Sequence, residues 1–284
     1  MSDPDVILLP PKKRIARGEG ATLREFQVLR TIQYYGWLSV PMLREIAVRQ
    51  NLAWQDRRFA YDLVDRLLKK TLIFGRMDQE GGSARSYALT PKGLSMLKQS
   101  AEDLLECDAN VVKDTAGIAH YLGLAKIMLQ FRRHFPINYW LTDLQVRSEN
   151  NLYGRDGLAK DYDAVTEVVL PERIIAIGIE LEHSRQRNEW YAKLSAGLNA
   201  ERYLHAIVYF LDRHAAVEAV PERLKPAAGR VCFASYRQFL LQGFHTTTCY
   251  WRGDELVRAP LGTVLTVIRD PGAGRYAPFR SYGL

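Results

Sequence analysis

At Leu72 the spacing of apolar residues changes period, and that change constrains the first third of the chain more than any other feature. Upstream, Leu23, Phe26, Leu29 and Ile32, then Leu43, Ile46 and Ala47, then Phe59, Leu63, Leu67 and Leu68 recur at intervals of three and four, the spacing that turns one face of a helix toward a core. Downstream, Leu72 to Met77 and Arg85 to Leu89 read as two short strands, joined by the glycine-bearing loop Asp78-Gln-Glu-Gly-Gly-Ser83. Punctuation agrees with the periods. Thr22 with Glu25 three residues on forms a capping box, Gly36 stops the first helix, and Ser39 with Pro41 opens the second. Gln55-Asp56 starts the third, which runs to Lys70, and Thr90-Pro91 caps a closing helix from Lys92 to about Leu105.

Three helices, a hairpin and a closing helix predict a winged helix-turn-helix over residues 21–106, preceded by a flexible basic tail over residues 1–20. The run Tyr87-Ala-Leu-Thr-Pro-Lys-Gly93 resembles the Tyr-x-Leu-Thr-x-x-Gly stretch that ends the wing in many regulators of this fold. In such a module the third helix enters the major groove, which places Gln55, Arg57, Arg58 and Tyr61 near base edges and Arg66, Lys69, Lys70 and the wing residue Arg85 near phosphates or the minor groove. Charge points the same way. Residues 1–100 hold 17 Lys and Arg against 10 Asp and Glu, whereas residues 101–284 hold 22 of each, so the whole net charge of +7 sits in the first module. Two blander uses stay open: winged helices also dock proteins, and exposed arginine serves solvation. The tail, with Lys12-Lys13-Arg14 and Arg17 among Pro4, Pro10 and Pro11, reads as a solvated arm or as a segment that follows a phosphate backbone.

The remaining composition excludes several classes. A chain of 284 residues with 47% hydrophobic and 25% charged residues is neither disordered nor fibrous, and its length suits two domains. No apolar run reaches the ~18 residues of a membrane span, and the acidic start Met1-Ser2-Asp3-Pro4-Asp5 is unlike a secretory leader. Cys107, Cys232 and Cys249 are odd in number and far apart, which argues against a disulfide framework and a structural zinc, so a cytoplasmic protein is expected. Walker, GxGxxG, GxSxG and HExxH signatures are absent.

Residues 107–284 predict an α/β arrangement, a mixed sheet flanked by helices, which makes the whole chain a two-domain α+β and α/β protein. The elements read as a helix from about Thr115 to His134, a strand from Ile137 to Val146, a polar loop over Arg147 to Gly157, strands over 161–170 and 173–182 joined at Pro171-Glu172, a helix from about Arg187 to Tyr203, and the apolar strand Ala206 to Leu211. Beyond residue 212, Val231 to Ala234 and Tyr236 to Leu241 read as a last strand and helix, followed by a tail whose Arg275-Tyr-Ala-Pro-Phe-Arg-Ser-Tyr282 interleaves aromatics with arginine. The acidic residues within this order carry a resemblance. Asp163 in Lys160-Asp-Tyr-Asp-Ala164 and Glu180 in Ile177-Gly-Ile-Glu-Leu-Glu182 resemble the two carboxylates of the PD-(D/E)XK nuclease superfamily, the restriction-endonuclease-like fold. Period two puts Glu180 and Glu182 on one strand face and Ile177, Ile179 and Leu181 on the other. The resemblance implies Mg2+ held by Asp163 and Glu180, with Asp163, Glu180, Glu182 and Lys193 as catalytic positions. It also departs at the decisive place: Glu182 stands where the family has its lysine, and Lys193 on the next helix is either a migrated ammonium or the partner of Glu189 at i,i+4.

The combination of both modules looks like the replication-relaxation family of plasmid and mobile-element proteins, on His120 in Gly-Ile-Ala-His-Tyr-Leu, the Asp163-Ala164 step and Glu180-Leu-Glu-His-Ser-Arg-Gln186. That resemblance implies double-stranded DNA binding in transcription regulation, replication or mobilisation, a nuclease-like domain with lost or weakened catalysis, nucleoid or plasmid association, and replication or mobilisation proteins as partners. A homodimer is expected because helix-turn-helix proteins commonly read paired half-sites. A Mg2+-dependent DNA endonuclease and a ligand-sensing transcription regulator are the alternatives. His120 reads as a base or ligand, or as a hydrogen-bonded core histidine. His183 has two uses of equal standing, ligand or strand end, and Arg185 and Arg187 serve either a phosphate or the carboxylates.

Overall fold

A computed structural model describes residues 21–268, except 53, 78–84, 101–116, 155–156, 183–187, 213–219, 223 and 225–229. The basic tail, the hairpin loop, His183, Arg185, Arg187 and the aromatic tail lie outside the described residues. The chain divides into two compact units, one ending at Leu129 and the other beginning at Gln130. Among the described residues no helix is long and apolar enough to cross a membrane.

The first unit begins with α1 (Leu23–Tyr35), β1 (Leu38–Ser39), α2 (Val40–Arg49) and α3 (Arg57–Lys69). It continues with β2 (Ile73–Met77), β3 (Arg85–Leu89), α4 (Pro91–Ser100) and the start of α5 (Ile118–His134). The expected caps form. Thr22 and Glu25 close a capping box at α1, and the Asp56 carboxylate accepts the Phe59 N–H at 3.1 Å to start α3. α1 ends at Gly36, whose φ of 75° favours glycine. One element escaped the sequence reading: β1 pairs antiparallel with β3, giving the sheet order β1-β3-β2. The inward face of α3 also differs in detail, because Ala60, Leu63, Val64 and Leu67 are buried while Phe59 and Leu68 are only half-buried.

Gly93 explains its place in the phrase that closes this unit. A Cβ built there would lie 2.1 Å from the Leu72 carbonyl oxygen, so the first turn of α4 can lie against the start of β2 only without a side chain at this position.

The second unit is a seven-stranded mixed sheet of order β10-β9-β8-β7-β6-β5-β4. Its strands are β4 (Ile137–Thr142), β5 (Ala164–Val169), β6 (Ile174–Glu182), β7 (Ala206–Leu211), β8 (Val231–Ser235), β9 (Thr247–Arg252) and β10 (Glu255–Pro260). β6, β7 and β8 run parallel and all other neighbours antiparallel. Helices α6 (Asp143–Tyr153), α7 (Asn188–Ala200), α8 (Tyr236–Gln242) and α9 (Leu261–Val267) and a 3-10 turn over Gly243–His245 accompany the sheet. The mixed sheet flanked by helices agrees with expectation. Two details do not. The stretch read as strand to Val146 and then loop to Gly157 is a strand ending at Thr142 followed by α6, because Thr142 and Gln145 close a capping box that starts a helix there. The stretch past residue 246 forms β9, β10 and α9.

Parallel pairing of β6 with β7 requires a crossover, which α7 supplies. Both faces of the central strands are consequently covered, and every residue of β7 is buried. One face packs Tyr139, Val165, Ala176, Tyr209 and Phe233 beneath Tyr191, Leu194 and Leu198 of α7. On the other face Phe131, Phe210, Phe239 and Phe244 form an aromatic cluster with ring centroids 4.6–5.9 Å apart.

Candidate functional site

Two places carry chemistry, one in each unit. In the first unit, α3 presents Gln55 at its entry and Arg57, Arg58, Tyr61, Arg66 and Lys69 along its exposed side. Tyr61 is 45% exposed, and the Arg57 guanidinium lies 6.0 Å from its ring. On the neighbouring hairpin Arg85 is exposed too. Between them stands Tyr87, whose hydroxyl is raised above its ordinary value first by burial, with the Arg85 charge lowering it and Tyr61 adding to the rise. Tyr61 and Arg85 therefore both lie near Tyr87.

The turn before α3 is rigidly placed. Asn51 takes φ 50°, Arg44 donates to the Gln55 carbonyl at 3.4 Å, and the fully buried Trp54 donates to the Gln27 side chain at 3.3 Å. Not all the expected contacts are equally available. Lys70 is half-buried, its ammonium 2.9 Å from the Glu25 carboxylate, and Arg66 approaches the same carboxylate at 3.6 Å. Lys69 sits 2.6 Å from Asp65 on the surface. Burial would push the Glu25 carboxyl up, but the Thr22 N–H and the Lys70 ammonium hold it below its ordinary range. Arg24, which the sequence reading passed over, lies 4.9 Å from the Phe59 ring, with Arg66 6.0 Å from the same ring.

In the second unit the carboxylates gather at one end of β6. Ala164 pairs with Ile179, so Asp163 stands one step beyond, opposite Glu180. Asp163 accepts the Leu181 N–H at 2.8 Å, which fixes its carboxylate against the strand. Glu180 pairs in register with Tyr209 of β7, and Glu182 accepts the Tyr191 hydroxyl of α7 at 3.0 Å. Glu180 and Glu182 do share a face, as period two requires, and it is the face that α7 covers. His120 belongs to the first unit, half-buried beside Tyr121, whereas the carboxylates belong to the second. Lys193 falls on α7.

An ammonium beside Glu180 is supplied by Lys160. Its Nζ lies 2.5 Å from a Glu180 oxygen and 5.1 Å from the Tyr162 ring, with its side chain only 20% exposed. The segment bearing Lys160 is held from three sides. Asn150 of α6 donates to the Lys160 carbonyl at 3.1 Å and to Asp161 at 2.8 Å, and accepts the Leu158 N–H at 2.9 Å. The buried Glu201 accepts from Ala159 N–H, Tyr162 hydroxyl, Arg202 N–H and Tyr203 N–H at 2.8–3.1 Å, so each oxygen has two donors. Tyr162 lies beneath: a Cβ at Gly178 would come 3.1 Å from its ring. Sequence spacing gave no sign of Asn150 or Glu201, and Lys160 lay within the quoted motif without an assigned role.

Tyr209 is fully buried, and its hydroxyl has no hydrogen-bonding partner among the described residues. Burial first, then the nearby negative charges, Glu180 foremost, keep it protonated far above its ordinary range. As the side chains stand, this arrangement does not fit a divalent ion. Lys160 occupies Glu180, a backbone N–H occupies Asp163, and among the described residues no group of three His, Cys, Asp or Glu is disposed to hold a metal. No family model, curated protein or solved structure matches the chain.

Proposed function

We propose that this is a double-stranded DNA-binding protein, a winged helix-turn-helix joined to a nuclease-like domain whose catalysis is lost or weakened. In this reading it regulates transcription, replication or mobilisation of a plasmid or other mobile element, as the resemblance to the replication-relaxation family implies. The observation that carries the reading is the exposed row Arg57, Arg58 and Tyr61 on α3, with the exposed Arg85 on the hairpin that follows it. A helix flanked by a hairpin offers base-edge readers and phosphate contacts on one surface, and the positive balance of residues 1–100 supplies the electrostatic part of affinity. Lys160 against Glu180 supports the retired-nuclease part, since it fills with an ammonium the place where a metal is implied.

The test is supercoiled plasmid incubated with the protein, with and without Mg2+ or Mn2+, beside Asp163→Ala/Glu180→Ala, with binding read in parallel. Binding without nicking in either metal is the expected result. Metal-dependent nicking by the parent and not by the double variant would replace the reading with an endonuclease.

A further inference from the structure

We propose that Arg24, together with Arg66, grips a backbone phosphate of the duplex on the flank of α3 that faces away from the hairpin. The inference deepens the DNA-binding reading of the first unit and rests on it. Its ground is one ring. The Arg24 guanidinium of α1 lies 4.9 Å from the Phe59 ring of α3, and the Arg66 guanidinium lies 6.0 Å from the same ring. Two cations from two helices are thus gathered at one place, although like charges repel.

The helix period says which place that is. At 100° per residue, Phe59 and Arg66 fall within roughly 20° of each other and roughly 140–180° from Arg57 and Tyr61. Tyr61 marks the hairpin side of α3, since it and Arg85 both lie near Tyr87. Arg24 and Arg66 therefore stand on the opposite flank. A helix with its side chains is about 10–12 Å across and the major groove about 12 Å wide, so a helix seated there has a phosphate backbone along each flank. Arg57 and Arg85 serve one backbone, and Arg24 and Arg66 the other.

Both guanidiniums are available for this use. Arg24 is exposed and Arg66 is 49% exposed, and no carboxylate pairs with Arg24 among the described residues. The buried Glu25 carboxylate takes its closest cation from Lys70 at 2.9 Å, with Arg66 further off at 3.6 Å. The ring also prepares the site. An exposed arginine gives up rotamer freedom when it meets a phosphate, and one already held at an aromatic ring gives up less. Stacking leaves the edge of the planar guanidinium free to donate to two phosphate oxygens at once.

The test uses the full chain and a duplex recovered from a random-sequence pool, with single phosphates replaced one at a time by neutral methylphosphonates. The parent is expected to lose affinity at phosphates on both sides of the groove. Arg24→Gln/Arg66→Gln is expected to become indifferent to replacement on one side and to keep its response on the other. Arg57→Ala/Arg58→Ala is expected to keep its response on that first side. Salt titration gives a second readout. Arg24→Gln is expected to flatten the slope of log affinity against log salt by about 0.9, and the double variant by about 1.8, equally on pool-selected and unrelated duplexes. Arg24→Lys, which keeps the charge, is expected to retain the parent's slope.

A folded Arg24→Gln/Arg66→Gln with the parent's slope and methylphosphonate pattern overturns the inference. The DNA-binding reading then still stands if Arg57→Ala/Arg58→Ala weakens binding. A loss that depends on base sequence also overturns the inference, because a phosphate carries no sequence information. The parent's own scan needs no variant: sensitivity confined to one side of the groove overturns it too. A parent that binds no duplex removes the reading and the inference together.

Discussion

Glu25→Gln isolates one interaction on which the first unit is built. Glu25 is 1% exposed, caps α1 through the Thr22 N–H at 2.7 Å, and receives the Lys70 ammonium at 2.9 Å from the far end of α3. Glutamine keeps an oxygen for the cap but loses the charge. A hydrogen bond between charged groups contributes ~1.5–3 kcal/mol when buried, and Lys70 is 39% exposed, so solvent screening reduces this to about 1–2 kcal/mol. Arg66, at 3.6 Å and 49% exposed, adds little. In hydrogen-exchange mass spectrometry this corresponds to roughly tenfold faster exchange of α1 and α3 amides, with β7 unchanged as an internal control. The dependence on pH has a definite sign. The folded carboxyl titrates below its ordinary 4.5, so the parent's advantage over Glu25→Gln is complete above that value and shrinks as pH falls through the lower folded one. Equal exchange at neutral pH, or an advantage that grows on acidification, would refute the ion-pair account.

Three further outcomes test other parts of the structure. Gly93→Ala drives a methyl to within 2.1 Å of the Leu72 carbonyl and is expected to destabilise the first unit by about 1–3 kcal/mol, read as earlier exchange of β2 and α4; no change would refute the close approach. Glu201→Ala strands four donors around Ala159, Tyr162, Arg202 and Tyr203 and is expected to cost ~3 kcal/mol, with exchange rising first over residues 158–162; an unaffected segment there would contradict its anchoring role. Tyr209→Phe removes a buried hydroxyl without a hydrogen-bonding partner and is expected to leave stability unchanged or raise it by up to about 1 kcal/mol in denaturant melts, whereas a clear loss would show that the hydroxyl is satisfied.

What the sequence made legible follows from range. Caps and periods act within four residues, so Thr22, Glu25, Asp56 and Gly36 marked their helices correctly. α6 was hidden because Gln145, Arg147, Ser148, Glu149, Asn150 and Asn151 give it a polar helical stretch that composition cannot tell from a loop. β1 is two residues long and exists only because β3 is there to pair with it. That Glu180 and Glu182 share one strand face was readable from alternation, whereas the place of Asp163 one step beyond the Ala164–Ile179 pair comes from the β5–β6 register. The cation beside Glu180 was not readable. Lys160 reaches Glu180 across 20 residues of chain, and the residues that hold it there, Asn150 and Glu201, lie in separate elements whose convergence is a property of the fold alone.

The central claim is that α3 and the hairpin meet duplex DNA, and the salt dependence of binding tests it most directly. Fluorescence anisotropy of a labelled duplex, titrated at several NaCl concentrations, gives the slope of log affinity against log salt. Each neutralised phosphate contributes about −0.9 to that slope, so Arg57→Ala/Arg58→Ala is expected to weaken binding and flatten the slope by roughly 1–2. Parent and variant with equal affinity and equal slope, both folded, would contradict the account.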